Sequence, residues 1–178
     1  NKNKELTTEI EKYYMKRILQ ILKSSLMKLL KNQRGNKMEQ KIIDFVNKYI
    51  KTKVDYDNAF GAQCVDLFRQ YVKEVLEIPE HTGAVVGAKD LYEKYEDLPV
   101  EKKHFIRLDA KRHNYAKTGD IAVWGQTSSN IYGHVAIVLD DMNNYILVFE
   151  QDGFKQDGAK LKIRSKENLL GYLTKYDG

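Results

Sequence analysis

The apolar residues near the start of the chain recur at steps of three and four, the spacing of a helix with one apolar face. Between Glu5 and Asn32 there is no proline or glycine, and residue types with high helix propensity dominate. The apolar stripe consists of Leu6, Ile10, Tyr14, Ile18, Ile21, Leu22, Leu26, Leu29 and Leu30. This pattern predicts an amphipathic helix, followed at residues 32–36 by a linker in which Gly35 supplies the turn.

Two further helices are predicted from the same spacing in the next part of the chain. One covers residues 38 to about 51, and the other covers residues 63 to 77 and ends before Pro79. Residues 80–118 have no consistent period, and only a short helix at residues 88–95 is predicted there.

After Gly119 the period changes to two, which is typical of half-buried strands. Five strands are predicted, at residues 120–124, 134–139, 145–150, 161–164 and 170–176. Helices that precede an antiparallel sheet indicate an α+β fold. We therefore divide the chain into a basic amphipathic helix with its linker at residues 1–36 and an α+β domain at residues 37–178.

Composition excludes several classes of protein. With 42% hydrophobic and 31% charged residues the chain can form a packed core, and no apolar run is long enough to cross a bilayer. One cysteine excludes an internal disulfide, and the four histidines give no zinc-finger spacing. Residues 1–41 hold 11 basic and 4 acidic residues, whereas the rest of the chain holds 19 and 21. The positive charge therefore belongs to the N-terminal helix, for which packing or self-association is the preferred interpretation over membrane or nucleic-acid contact.

The only cysteine, Cys64, falls at the start of the predicted helix at residues 63–77. The free N–H groups and the dipole at a helix N-terminus favour negative charge, and thus the nucleophilic thiolate. Cysteine also often fills space in a core, and for Cys64 alone that interpretation is preferred. The preceding Gln63 is a candidate oxyanion donor beside the Cys64 backbone N–H, although glutamine at a helix start is common.

A cysteine nucleophile needs a histidine as proton partner and a group that orients this histidine. Of the four histidines only His134 opens a predicted strand, whereas the others lie in polar, loop-like surroundings. If this strand and the next form a hairpin with a three-residue loop, His134 and Glu150 are direct cross-strand partners. Asp152 is a second candidate on the same side. Taken alone, Glu150 is as well explained as a solvated edge carboxylate and His134 as an ordinary strand-start histidine, but together with Cys64 the set predicts a catalytic site.

The stretch from Asp55 to Asp66, which includes Cys64, carries oxygen groups at the ligand positions of a calcium loop of the EF-hand kind. These groups are the carboxylates of Asp55, Asp57 and Asp66, at positions one, three and twelve, and the carbonyls of Ala59 and Gly61. The match is partial, because Phe60 stands where such a loop has glycine and an aspartate replaces the final glutamate. Oxygen ligands favour calcium over a transition metal, so we predict a calcium ion that fixes the loop without entering the chemistry. Helix-capping aspartates in a surface loop are the alternative.

Four sequence blocks, GAQCVDLFRQY, TGDIAVWG, GHVAIV and FEQDG, resemble the CHAP family. These are cysteine- and histidine-dependent amidohydrolase/peptidase domains of phage lysins and bacterial cell-wall hydrolases. The resemblance covers about residues 38–176 and implies a papain-like α+β fold with Cys64 as nucleophile, His134 as general base and Glu150 as third member. The family often has asparagine two residues after that glutamate, where this chain has Asp152. Some phage members bind calcium just before the cysteine, at acidic positions that this chain also has.

The resemblance implies a hydrolase that cuts an amide bond of peptidoglycan at the bacterial cell wall, as a free lysin, a virion-borne enzyme or a secreted autolysin. Both an endopeptidase and an N-acetylmuramoyl-L-alanine amidase fit. No nucleic-acid partner is expected, and the N-terminal helix is a candidate contact to a second copy or to a phage or secretion partner. One alternative is a non-catalytic wall-binding or structural module of a phage tail or secretion apparatus, for which Cys64→Ala would be silent. Another is a cytosolic thiol peptidase or transferase, which would act on protein substrates.

Overall fold

The structure is a computed structural model and describes residues 37–176. The predicted N-terminal helix and its linker lie outside the described residues, and the domain boundary at residue 36 stays a prediction. The helices are α1 (Lys37–Tyr49), α2 (Cys64–Glu74), α3 (Asp90–Glu93) and α4 (Pro99–His104), with a 3-10 helix at Tyr95–Asp97. The strands are β1 (Phe105–Asp109), β2 (Ile121–Trp124), β3 (His134–Asp141), β4 (Tyr145–Glu150), β5 (Lys160–Ser165) and β6 (Leu169–Lys175). Within residues 37–176 no helix has both the length and the apolar character needed to span a membrane.

The two long helices bury the apolar faces that their residue spacing predicts. Ile42 and Phe45 of α1 are buried, as is Tyr71 of α2. The Phe45 ring makes edge contacts with Tyr71, at 5.5 Å between ring centroids, and with Phe149 of β4, at 6.1 Å. Phe45 therefore links both helices to the sheet.

The six strands form one antiparallel sheet in the order β1-β6-β2-β3-β4-β5. Alternate side chains pack on its two faces, as the period of two predicts. The face toward the helices includes Ile121, Val123, Val135, Ile137 and Phe149. The other face carries a second apolar cluster that includes Ala122, Trp124, Ala136, Val138, Ile146, Val148 and Tyr172. The predicted α+β fold, with helices before an antiparallel sheet, is confirmed.

Residues 80–118 contain more regular structure than the sequence predicts. The predicted helix at residues 88–95 is reduced to the single turn of α3 followed by the 3-10 helix, whereas α4 and β1 were not predicted. Pro99 opens α4, where a missing N–H costs no hydrogen bond. In β1 only Phe105 is buried, so its pattern lacks the alternation that identified the other strands.

The hairpin of β3 and β4 differs in register from the prediction. Ile137 pairs with Phe149, which places Glu150 in line with Ala136 rather than directly opposite His134. The offset is two residues, and two residues along a strand return to the same face. The predicted direct pairing is therefore wrong, but the predicted common face of the two side chains is retained. A β-bulge further along β3 shifts the register again, and a loop length read from sequence does not reveal it.

Candidate active site

The thiol of Cys64 lies at the first residue of α2, as the sequence predicts, and is partly buried. Gln63 precedes it in an extended conformation, and its backbone N–H donates to Asp66 Oδ2 at 2.8 Å. This hydrogen bond caps the helix and fixes the chain direction just before the sulfur. The Asp66 N–H, in the first turn, bonds back to the Gln63 carbonyl at 3.2 Å. The N–H of Cys64 has no carbonyl of a preceding helical turn to bond, so it is the candidate donor to a bound oxygen atom.

His134 is the first residue of β3 and is 8% exposed. Its Nε2 lies 2.9 Å from Glu150 Oε2, and its ring centroid lies 5.9 Å from that of Trp124, the opposing residue on β2. Burial lowers the pKa of His134, but hydrogen bonds with Cys64 and Glu150 outweigh burial and raise this pKa to about 8. The imidazole is therefore held mainly as the cation at neutral pH.

Glu150 ends β4 with a fully buried carboxylate. Arg164 of β5 binds it with both Nε and Nη2, the latter at 3.1 Å from Oε1, and Lys162 Nζ lies 3.7 Å from the same oxygen. Burial raises the pKa of Glu150, but hydrogen bonds from His134 and Arg164 outweigh it and hold this pKa at about 2. The carboxylate is thus a permanent anion beside the imidazole.

The structure brings Cys64, His134 and Glu150 together at the junction of a helix start and a strand start. His134 hydrogen-bonds Glu150 through Nε2, and Cys64 is close enough to the imidazole to raise its pKa. Since Nε2 faces Glu150, Nδ1 is the ring nitrogen left for the sulfur. The thiolate is the form of cysteine that attacks carbonyl carbon.

Asp152 has different partners from those that the sequence suggested. Its carboxylate accepts the backbone N–H groups of Phe154, at 3.0 Å, and Lys155, at 3.3 Å, and so closes the turn that follows β4. The contact with the His134 ring is made by Glu150. An orienting role for Asp152 stays a prediction without a direct contact to support it.

The three aspartates of the predicted calcium loop lie together. Asp55, Asp57 and Asp66 each offer an oxygen atom, and these atoms lie within 4.8 Å of one another. Burial raises the pKa of Asp66, and the charges of Asp57 and Asp55 raise it further, against hydrogen bonds from the backbone of Gln63 and Tyr56. Carboxylates this close repel one another, and a cation between them would remove that repulsion.

The backbone of this loop turns sharply at the position where a calcium loop of the EF-hand kind has glycine. Phe60 stands there with φ of 63°, in the left-handed region, and its side chain is 92% exposed. Gly61 follows with φ of 73°. The Ala59 N–H donates to Asp57 Oδ1 at 3.0 Å, so the loop is folded onto its own carboxylate. The carbonyls of Ala59 and Gly61 stay predicted ligands.

Three residues of the site were missed from sequence. Arg164 and Trp124 flank the pair of His134 and Glu150, with the guanidinium 5.7 Å from the centroid of the Trp124 ring. Both residues lie on predicted strands, and the alternation of side chains along those strands was the sequence signal that could have identified them. Gln151 is fully buried and hydrogen-bonds Val54 and Gln63, a tertiary contact for which no sequence signal exists.

The fold and the site define an α+β domain in which a helix-start cysteine, a strand-start histidine and a buried carboxylate form one cluster. The chain belongs to the CHAP domain family, whose sequence profile matches residues 53–152. This confirms the resemblance drawn from the four sequence blocks. No curated protein sequence matches the chain.

Solved structures with a similar fold include a wild-type endolysin, LysIME-EF1, at 16% sequence identity and a TM-score of 0.54. They also include Ly7917, at 18% identity and a TM-score of 0.54, and Ly7917 with the hydrolysing product of MDP, at 17% and 0.54. Each match covers 76% of this chain and 62% of the other, so the chain spans less than two thirds of the length of these proteins. At these identities the likeness shows the fold alone.

Proposed function

We propose that the protein is a peptidoglycan hydrolase that cuts an amide bond of the bacterial cell wall through a covalent acyl-enzyme. The observation that carries this proposal is the hydrogen bond between His134 Nε2 and the buried Glu150 Oε2, at 2.9 Å, in a site where Cys64 at the start of α2 also interacts with the imidazole. Membership of the CHAP domain family and the fold shared with an endolysin support the same substrate class. The site of action is then the cell wall.

In the proposed mechanism the Cys64 thiolate attacks the amide carbonyl carbon and forms a C–S bond. The protonated His134 gives its proton to the leaving nitrogen as the C–N bond breaks. Water then attacks the thioester, His134 takes a proton from it, and the C–S bond breaks to release the acid. Glu150 stays ionised throughout, because its low pKa and its pairing with Arg164 prevent it from taking the proton.

The tetrahedral intermediate needs donors for its oxyanion. The Cys64 backbone N–H, at the start of α2, is the first donor that we propose, and the Gln63 side chain is the second. Gln63 is partly exposed, in contrast to the buried Gln151 with which its carbonyl bonds. A helix N-terminus adds a favourable dipole for the same negative charge.

The test is the clearing of purified cell walls by Cys64→Ala and His134→Ala variants. Both should lose activity to the background level and keep the circular dichroism spectrum of the parent. Cys64→Ala should also keep the melting temperature close to that of the parent, whereas His134→Ala should lower it, because the buried Glu150 loses a partner. His113→Ala is the matched control, since His113 is exposed and distant in sequence from the site. Lysis retained by Cys64→Ala would remove the proposal.

The bond that is cut separates the two remaining versions of the proposal. An endopeptidase releases new amino groups within the peptide, whereas an N-acetylmuramoyl-L-alanine amidase separates intact peptides from the sugar chains. Mass spectrometry of the fragments released from purified walls distinguishes these products directly.

We further propose that Asp55, Asp57 and Asp66, with the carbonyls of Ala59 and Gly61, hold a calcium ion. The chemistry of the set fits, because the donors are all oxygen and their three carboxylate atoms converge within 4.8 Å. The ion would supply positive charge that fixes the loop before α2. A chelator should lower the melting temperature and the activity, added calcium should restore both, and Asp55→Asn should weaken the response. Asp97→Asn, outside the loop, is the control.

A further inference from the structure

A buried glutamine side chain joins the end of β4 to the segment that leads into the catalytic helix. Gln151 is fully buried, and its Oε1 accepts the Val54 N–H at 2.8 Å. Its Nε2 donates to the Val54 carbonyl at 2.7 Å and to the Gln63 carbonyl at 2.8 Å. The Gln151 amide thus binds the chain at two places: at Val54, directly before Asp55, and at Gln63, directly before Cys64.

A buried amide is costly unless it is hydrogen-bonded, and an apolar residue of similar volume would only fill the space. In Gln151 both N–H groups and the oxygen are engaged, and the three bonds fix its orientation completely. Gln156 adds a second, partly exposed amide contact, with its Oε1 3.1 Å from the Ala62 nitrogen and its Nε2 3.2 Å from the Ala62 carbonyl oxygen. Side-chain hydrogen bonds therefore connect the loop before α2 to the segment after β4.

Strand alternation explains why two consecutive residues have such different contacts. Glu150 points to one face of the sheet, where it binds His134, and Gln151 points to the face that Phe149 shares with the helices. The imidazole is thereby held by the last residue of β4, Glu150, and the helix start is held by the next residue, Gln151. A shift of the segment at Gln63 would move the sulfur relative to the ring without disturbing Glu150.

We propose that Gln151 is a positioning residue, which sets the distance and angle between the Cys64 sulfur and the His134 imidazole by holding the Gln63 carbonyl. The proposal rests on the hydrolase function proposed above. It predicts that loss of the amide lowers turnover more than substrate affinity, because the reacting groups are misplaced while the surface that binds substrate is kept.

The experiment compares Gln151→Met, which keeps the volume but has no amide, with Gln151→Asn, whose amide is too short to reach both anchors. We expect kcat to fall by about 10- to 100-fold in Gln151→Met with KM changed by less than about twofold, and a smaller fall in Gln151→Asn. Tyr71→Phe is the matched control, because it also removes a buried hydrogen bond, from the Tyr71 hydroxyl to the Gly119 carbonyl. It should lower the melting temperature and leave kcat unchanged.

A second readout does not depend on wall hydrolysis. The pKa of His134 is raised in part by its hydrogen bond with Cys64, so its titration midpoint, followed by NMR, should fall in both Gln151 variants and stay in place in Tyr71→Phe. If the unmodified protein does not cut cell walls, only the hydrolase proposal fails, because the titration midpoint of His134 still reports its interaction with Cys64. An unchanged midpoint in folded Gln151 variants, or a fall in kcat no larger than that of Tyr71→Phe, overturns the positioning role. Failure of both variants to fold also overturns it, since Gln151 would then be required for folding as a whole.

Discussion

The contact between His134 and Glu150 sets the charge of both side chains. Burial alone would favour a neutral imidazole and a neutral carboxyl group, but the two groups and Arg164 form a chain of hydrogen bonds that favours the charged form of each. Breaking such a buried arrangement by removing one partner leaves an uncompensated charge in a site of low polarity. The stability of this site and its chemistry therefore depend on the same few atoms.

The first prediction concerns Arg164. Arg164→Met should lower the free energy of unfolding by about 3 kcal/mol, because the fully buried Glu150 loses a two-point partner. Lys162→Met is the matched control, since its amine is 3.7 Å from the same carboxylate and its side chain is 40% exposed, and it should cost less than about 1 kcal/mol. Urea denaturation of both variants measures the difference, and equal losses would contradict the role given to Arg164.

The second prediction concerns pH. The folded pKa of His134, about 8, is above its ordinary value of 6.5, so the stabilisation from its charge is complete below about pH 6.5. It decreases as pH rises through 8, by on the order of 2 kcal/mol in the free energy of unfolding. The folded pKa of Glu150, about 2, is below its ordinary value of 4.5, so its contribution is present above pH 4.5 and is lost toward pH 2.

Unfolding by urea at a series of pH values from 6 to 9 tests this assignment. The decrease at alkaline pH should be absent in His134→Asn and present in His113→Asn. A decrease of the same size in both variants would assign the effect to another group.

At the level of elements, the start of α2 and the loop before it were the most predictable parts of the site. Cys64 opens the helix as the sequence indicates, and the aspartates at positions one, three and twelve converge as their spacing indicates. Strand periodicity likewise placed His134 and Glu150 on one face. The exact register was not predictable, because the bulge in β3 arises from pairing with β4 rather than from its own residues. Likewise β1 was missed, since only Phe105 of its five residues is buried and its sequence shows no alternation; its place in the sheet comes from pairing with β6.

The third prediction concerns the sharp turn of the acidic loop. Phe60 adopts a left-handed conformation, which costs about 1 kcal/mol in residues other than glycine and more in β-branched residues. Phe60→Gly and Phe60→Val both remove the same exposed ring, so the difference between them isolates the backbone. Phe60→Gly should be the more stable by about 1–2 kcal/mol in urea denaturation. A valine variant of equal or greater stability would contradict the observed conformation.

For the molecule as a whole, the order of strands in the sheet differs from their order in the chain. β6, the last strand, lies inside the sheet between β1 and β2, so the end of the described chain connects the edge strand β1 to the rest of the sheet. This topology was not apparent from sequence, because periodicity identifies strands but not their neighbours. The basic N-terminal helix stays a prediction, and its contribution to self-association is tested by sedimentation at low and high salt. Association through the apolar stripe should be insensitive to salt.

The fourth prediction concerns the packing of β6 against β1. A Cβ atom at Gly171 would lie 2.0 Å from the Leu108 carbonyl oxygen and 2.6 Å from Tyr92 Cε2, so Gly171→Ala should lower the free energy of unfolding by about 2–3 kcal/mol. At Gly125 the nearest atom to such a Cβ is Leu170 Cδ2, at 3.3 Å. Gly125→Ala is therefore the control and should be far milder by thermal denaturation. Equal shifts in melting temperature would contradict the close approach of β1 and β6.

Trp124 is the only tryptophan of the chain, and its ring lies 5.9 Å from that of His134. An excited indole gives up an electron readily to an imidazolium and much less readily to a neutral imidazole, so its light emission depends on the proton of its neighbour. The fluorescence of Trp124 therefore reports the protonation state of His134. Its fluorescence should brighten as pH rises through about 8, the pKa of His134, and this brightening should vanish when the histidine is replaced. The charge of the buried His134 ring can then be followed by fluorescence, without a label and without a substrate.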